Sequence, residues 1–175
     1  MWIRRLELRD SGPYADHAVA HMAESGKNGA PVFAPGHRTS REEVRDQAQL
    51  RWARKLSEPA WGRAWALFAE GRMVGHIELR GGRITTELHR ATLGMGLMQA
   101  FTGRGYGGKL VDVALDWARD ETKLGWVDLG VFSNNEPAIK LYERKGFDRC
   151  FVRKDAFRLE DGTSLDDIFM SLRLR

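Results

Sequence analysis

Residues 93–108, LGMGLMQAFTGRGYGG, run directly into the helical pattern KLVDVALDWARDE of residues 109–121. An apolar strand, a glycine-rich turn and the start of a long helix leave several backbone N–H groups unpaired and aimed at one point. Gly103, Gly105, Gly107 and Gly108 carry no Cβ, so the main chain can take positive φ there and come close to a bound group. The helix macrodipole adds roughly half a positive charge at its N-terminus. Such a turn binds an anion, and a phosphate-bearing ligand is the first expectation.

Gly103-x-Gly105-x-x-Gly108 also matches the dinucleotide fingerprint, which requires an opening βαβ unit. Here the pattern comes late, with too little chain after it for a full doubly wound domain. Asp128, about 20 positions on, sits inside the next strand pattern WVDLGVF rather than at a strand's end. The glycines are therefore read as a phosphate signal and not as a dinucleotide site. The plainer reading, a glycine-rich turn that binds nothing, has to explain four glycines within six positions, which are costly in unfolded-chain entropy.

The second informative stretch is 131–147, VFSNNEPAIKLYERKGF. A glycine turn with its helix, then a strand, then Asn-x-x-Ala-Ile-x-Leu-Tyr-Glu-x-x-Gly-Phe, resembles the GNAT superfamily of N-acetyltransferases, which use acetyl-coenzyme A. The resemblance covers roughly residues 63–173. It implies an α/β fold: a mixed, mainly antiparallel central sheet of about seven strands with helices on both faces, formed by residues 1–175 as a single domain. In that family the turn reads Arg or Gln-x-x-Gly-x-Gly or Ala. Gly105 and Gly107 match, but Thr102 stands where the Arg or Gln should be, with Arg104 a substitute for the missing polar contact. The resemblance thus assigns Thr102, Gly103, Arg104, Gly105, Tyr106, Gly107 and Gly108 to the pyrophosphate. The backbone of Leu97, Met98 and Gln99 is assigned to pantetheine and Tyr142 to the sulfur; Asn135, two helical turns before Tyr142 and so near the same face, can serve the same cofactor or cap its helix.

The chain has 175 residues, 42% of them hydrophobic, enough for one domain with a sound core. It has no apolar run that could span a membrane and no signal-peptide core at MWIRRLELRD, so no membrane partner is expected. A lone Cys150 excludes an internal disulfide, and the default setting is a reducing cytoplasm. A net charge of +4 raises the question of nucleic acid, but 28 basic residues are scattered beside 24 acidic ones without a block. No nucleic-acid partner is expected.

The N-terminal half builds the surroundings. Residues 2–8 read as an edge strand, and a helix capped by Asp10, Ser11 or Asp16 runs to about Glu24 with Tyr14, Ala18, His21 and Met22 on one face. His17 and His21 have the i, i+4 spacing of two metal ligands, but HAVAH lacks the intervening glutamate of HExxH and no third ligand is evident, so no metal is expected. GKNGAPVFAPGH (26–37) is a loop, from which the resemblance offers Pro31, Val32, Phe33 and His37 to the acceptor. Ser40 and Glu43 form a capping box for a helix to about Ser57. Strands 65–69 and 73–79 make a hairpin about Glu70-Gly71, and 89–99 is the next strand, in which Gly94 and Gly96 suggest a bulge or a close approach. After strand 126–132 comes a helix from about Glu136 to Lys145, then two strands joined at Asp161-Gly162.

An amine must be neutral to attack a thioester, and the departing thiolate needs a proton. Tyr142, with an unperturbed pKa of about 10, suits the acid. A backbone N–H of the fourth strand can meet the oxyanion. Between Arg90 and Gln99 that strand has no carboxylate, which leaves Glu78 and His89 as base candidates. Deprotonating a lysine-like amine at pH 7 costs about 4.6 kcal/mol against about 1 for a peptide α-amine, so an α-amine or another weakly basic acceptor can manage with ordered water as the base. The expected activity is acetyl transfer from acetyl-coenzyme A to an amine, on a small molecule or a peptide or protein α-amine. The alternative is a non-catalytic acyl-coenzyme A sensor on the same fold. Many proteins of the family are dimers, so the resemblance also offers a homodimer.

Overall fold

The computed structural model describes residues 1–36, 39–120 and 123–175. Seven strands, β1 (Trp2–Arg5), β2 (Gly62–Ala69), β3 (Arg72–Gly81), β4 (Arg90–Leu97), β5 (Trp126–Phe132), β6 (Asp148–Arg158) and β7 (Ser164–Arg173), form one sheet in the order β1-β2-β3-β4-β5-β7-β6. Every neighbouring pair is antiparallel except β4 and β5. This is the mixed, mainly antiparallel sheet expected from the sequence.

Four α-helices cover it: α1 (Ser11–Met22), α2 (Arg41–Ala53), α3 (Tyr106–Asp120) and α4 (Glu136–Arg144). The alternation of side chains along a strand divides the core into two layers. On one face Trp65, Leu67, Ile77, Leu79 and Leu93 pack with Leu110, Val111, Ala114 and Leu115 of α3 and Ile139 and Tyr142 of α4. On the other, Ala64, Ala66 and Phe68 meet Tyr14 and Ala18 of α1 and Ala48 and Trp52 of α2. The parallel crossovers carrying α3 and α4 run in the same direction across the sheet, and the right-handed rule puts both helices on one face.

Local signals set most of the boundaries. Ser40 Oγ accepts the Glu43 amide at 3.2 Å while the Glu43 carboxylate accepts the Ser40 amide at 2.8 Å, the capping box that starts α2. That helix stops at Ala53 rather than Ser57, because Arg54 turns extended (ψ 145°) and the Lys55 amide is taken by Glu58 at 2.6 Å. Leu56 still packs on the core, from outside the helix. The α3 helix begins at Tyr106, three residues before the periodic pattern of Lys109; its expected last residue, Glu121, lies outside the described residues. Among the described residues no helix is long and apolar enough to cross a membrane.

Candidate active site

The site begins where two strands part. β4 and β5 are paired only at Arg90–Trp126, Ala91–Val127 and Thr92–Asp128; beyond that β5 keeps only β7, its partner along the whole strand from Trp126–Arg173 to Phe132–Asp167. A clamp holds the closed end: Arg90 donates to both oxygens of Asp128, at 2.7 and 2.6 Å, and its guanidinium lies 4.9 Å from the Trp126 ring centre. From Leu93 onward β4 has a neighbour on one side only.

The direction of its free groups follows from the ladder. Met98 donates its amide to Val74 of β3 at 2.9 Å. Hydrogen-bonding residues alternate along an antiparallel pair, so Gly96, Gly94 and Thr92 also turn toward β3, while Leu97, Met95 and Leu93 turn their amides and carbonyls into the opening. An extended polar chain laid there can bond β4 as another strand would. Of the three residues expected to do this, Leu97 is available. The Met98 amide is engaged as described, and the Gln99 amide donates to the Glu24 carboxylate at 2.9 Å. Met95, which the sequence reading passed over, turns its backbone groups the same way as Leu97; strand parity counted from Leu97 would have found it.

The slot leads to the glycine turn. Gly103 (φ 71°) and Gly105 (φ 79°) are left-handed, and a Cβ on either would meet nothing within 4 Å, so both serve backbone direction and leave open space. Lys109 is the first α3 residue whose amide has an intrahelical acceptor, the Gly105 carbonyl at 3.3 Å; among the described residues the Tyr106, Gly107 and Gly108 amides have none. Gly107 lets α4 approach, a Cβ there standing 3.2 Å from Leu141 and 3.6 Å from Met95, whereas one on Gly108 would make only ordinary contacts, the nearest with Lys145 Cε at 3.7 Å. Thr102, at the family's Arg or Gln position, uses its hydroxyl on the Gln99 carbonyl at 2.8 Å. Arg104 is exposed, Lys109 lies 5.6 Å from the Tyr106 ring centre, and neither has a carboxylate partner among the described residues. Three amides without acceptors and two cations without carboxylate partners among the described residues, at a helix N-terminus, are an arrangement that can bind a phosphate.

Across the opening, α4 starts at Asn135, whose Oδ1 accepts the Ala138 amide at 3.3 Å. Asn135 is thus a helix cap, and only its amide nitrogen remains for a ligand. Tyr142, two turns on, is 6% exposed and sits edge-on to Phe147 at 5.8 Å. Burial pushes its pKa up to about 12, and among the described residues its hydroxyl has no hydrogen-bond partner.

Of the two base candidates, Glu78 is paired with Gly94 in the open part of β4, and His89 lies at the strand's closed end. Glu78 is 4% exposed and held by Arg51 at 2.9 and 3.1 Å and by Trp52 Nε1 at 3.1 Å, so its oxygens fasten α2 to β3. His89 is exposed at the closed end of β4, its Nδ1 3.1 Å from the Thr86 carbonyl. Eight residues of strand separate it from Leu97, about 26 Å.

What faces the open part of β4 is a set of residues from α1, β3 and the following loop. A Cβ on Gly96 would lie 2.5 Å from His76 Cε1 and 2.8 Å from His21 Nδ1, and one on Gly94 would lie 3.0 Å from Arg80 Nη2. The register from Gly75–Leu97 to Gly81–Ala91 is unbroken, so these glycines form no bulge; they admit the side chains above them. His17 Nε2 is 3.0 Å from His76 Nδ1, and His21 stacks on Phe33 with ring centres 4.4 Å apart. Burial and neighbouring imidazoles lower the pKa of His17, to about 4, and of His76; burial lowers that of His21. Pro31 and Val32 belong to the same loop, where the Gly26 amide bonds the Pro31 carbonyl at 3.2 Å; His37 lies outside the described residues. No group of three His, Cys, Asp or Glu among the described residues is arranged to hold a metal ion.

Comparison with known proteins agrees with this geometry. Residues 31–147 match the model of the Acetyltransferase (GNAT) family. The L-amino acid N-acetyltransferase AaaT of Escherichia coli (strain K12) is 23% identical over 120 residues, 69% of this chain and 74% of that protein. YncA of Salmonella typhimurium, solved with its cofactor acetyl-CoA, superimposes with a TM-score of 0.81 at 19% identity, over 100% of this chain and 94% of that one. The ribosomal-protein-alanine N-acetyltransferase of Brucella melitensis does so with a TM-score of 0.79 at 20% identity, over 99% of both chains. With the family model spanning more than half its length, this chain belongs to the GNAT family of acetyltransferases.

Proposed function

We propose that this enzyme moves the acetyl group of acetyl-coenzyme A directly onto an α-amine within a ternary complex. The observation that carries the reading is the unpaired edge of β4, which leads from the parting of β4 and β5 straight into the left-handed glycines and free amides at the start of α3. In this reading the Leu97 and Met95 backbone bonds pantetheine, and Gly103, Gly105, Tyr106, Gly107 and Gly108 with Arg104 and Lys109 hold the pyrophosphate.

The attacking amine adds to the thioester carbon, the oxyanion accepts from a β4 amide, and the C–S bond breaks as Tyr142 gives its proton to the sulfur. The raised pKa keeps Tyr142 protonated throughout the neutral range. A non-catalytic sensor would need none of this acid. The α-amine reading draws on the low cost of deprotonating such an amine, about 1 kcal/mol at pH 7. It also draws on two similar proteins whose names state an amino acid or a protein alanine as acceptor. A cytoplasmic setting fits the exposed, unpaired thiol of Cys150.

The test is thiol release from acetyl-coenzyme A with a panel of amines. Release that depends on an α-amine, with little from the ε-amine of an N-acetylated lysine, supports the proposal; release only with ε-amines or polyamines contradicts it.

A further inference from the structure

We propose that His21 is the base for the acceptor amine and that Arg80 holds a carboxylate one carbon from it, so that the acceptor is a free α-amino acid rather than a peptide N-terminus. The inference rests on the acetyl-transfer reading above and assigns the acceptor side of that site.

Position is the first support. His21 stands over Gly96 and Arg80 over Gly94, both on the face of β4 that meets α1, and both along the part of the strand that β5 has left. Tyr142 belongs to the opposite face. A thioester lying in the opening therefore has an acid on one side and an imidazole on the other. Two strand residues separate the Arg80 and His21 positions, about 6.6 Å. That gap suits an amine and a carboxylate joined through one carbon, each taking a hydrogen bond of about 2.8 Å.

Charge is the second. Glu78 is already neutralised by the two-point bond from Arg51, and Arg80 approaches it only at 3.8 Å with 46% of its side chain exposed. Among the described residues Arg80 has no other carboxylate within reach. One carboxylate and two guanidiniums leave a net positive charge facing the acceptor space, where a neutral amine alone would have no use for it. A peptide N-terminus offers an amide at that place, and an amide leaves the guanidinium without a counter-charge.

The imidazole is held and kept neutral. Its ring lies on Phe33, whose loop is folded by the Phe33 and Ala34 amides donating to Ser25 Oγ at 2.9 and 3.0 Å. The charged and titratable groups that face it are His17 and Glu24 from its own chain segment and His76 from β3, with Arg80 over the neighbouring Gly94. Only Glu24 favours the charged imidazole, and its carboxylate is bonded to the Gln99 amide. His21 takes one proton from the ammonium and releases it to solvent. After the C–N bond forms it takes the second from the same nitrogen; the C–S bond breaks, the sulfur receives the Tyr142 proton, and solvent restores the tyrosine. One ammonium and one thioester give one amide, one thiol and one proton.

The experiment measures thiol release with L-phenylalanine, L-phenylalaninamide and phenethylamine, for the wild type and for Arg80→Gln, His21→Gln and His21→Asn, with melting curves and acetyl-coenzyme A titrations to confirm folding and cofactor binding. The wild type is expected to favour the amino acid, although the amide's amine is the easier to deprotonate. Arg80→Gln should lose about 10-fold to 100-fold in kcat/KM for the amino acid and little for the other two. Both His21 variants should lose about 100-fold or more in kcat at pH 7, recover as pH rises, and bind acetyl-coenzyme A as before. Equal loss on all three amines in Arg80→Gln, or an unchanged pH profile in the His21 variants, overturns the assignment while leaving acetyl transfer intact. A wild type that binds no acetyl-coenzyme A and releases no thiol with any amine overturns both.

Discussion

Arg51 donates to both carboxylate oxygens of Glu78, at 2.9 and 3.1 Å, and so ties α2 to the middle of β3. Gly62 makes the joint possible, since a Cβ there would stand 2.9 Å from Glu78 Oε1 and 2.8 Å from Arg51 Cβ. A carboxylate fixed in this way is part of the frame that carries the acceptor side of the site.

Removing one member leaves the other buried without its partner. Arg51→Met is expected to lower the unfolding free energy by about 3–5 kcal/mol, read from denaturant curves. Glu78→Gln should destabilise as well, yet turnover per folded molecule should stay within about threefold of the wild type, far from the ~100-fold loss of a missing base. A collapse of kcat in a folded Glu78→Gln protein would return Glu78 to the chemistry.

Tyr142→Phe keeps the ring against Phe147 and removes only the hydroxyl. Because that hydroxyl has no protein partner among the described residues, stability should change by less than about 1 kcal/mol. Acetyl-coenzyme A should bind as before while kcat falls about 100-fold, separating an acid from a packing residue in one titration and one rate measurement.

The buried imidazoles make the fold sensitive to acid. His17, with its pKa pushed down to about 4, is neutral in the folded protein and takes up a proton near pH 6.5 when unfolded. Between those values the unfolded chain binds more protons, so stability is complete above about pH 6.5 and declines as pH falls toward 4, by about 1.4 kcal/mol per unit for each such group. His76 is shifted the same way. Melting temperatures recorded from pH 8 to 4 should fall through this window, and His17→Gln should flatten the decline.

Gly96 has a Cβ-sized space already filled by His76 Cε1 at 2.5 Å and His21 Nδ1 at 2.8 Å. Gly96→Ala must displace one ring, at a cost of about 1–3 kcal/mol. Turnover should suffer more than acetyl-coenzyme A affinity, because the rings lie on the acceptor side of β4. Calorimetric binding alongside steady-state rates checks the split.

The frame was largely legible from the amino acids. The Leu110, Val111, Ala114, Leu115, Ala118 stripe announced α3, and the Ser40–Glu43 box announced α2, because each signal is carried by residues within a turn or two of one another. Where α2 ends was not, since Leu56 continues the apolar spacing after the backbone has already turned out of the helix at Arg54. Gly94 and Gly96 read in the sequence as a bulge or a close approach of backbone; the register is unbroken and side chains fill the space instead, and nothing local tells which. Those come from His21 and His76, 55 positions apart, brought together only when α1 lies down on β3. The same long-range packing hides the engagement of Glu78 by Arg51 and of the Gln99 amide by Glu24.

If the opening between β4 and β5 and the glycine turn bind acetyl-coenzyme A, thermal melting with acetyl-coenzyme A, coenzyme A and NAD will show it. A ligand at 100 times its dissociation constant adds about 2.7 kcal/mol of stability, well within what a melting curve resolves. A rise with both coenzyme A compounds and none with NAD is the predicted result; no rise, or a rise with NAD alone, would contradict it.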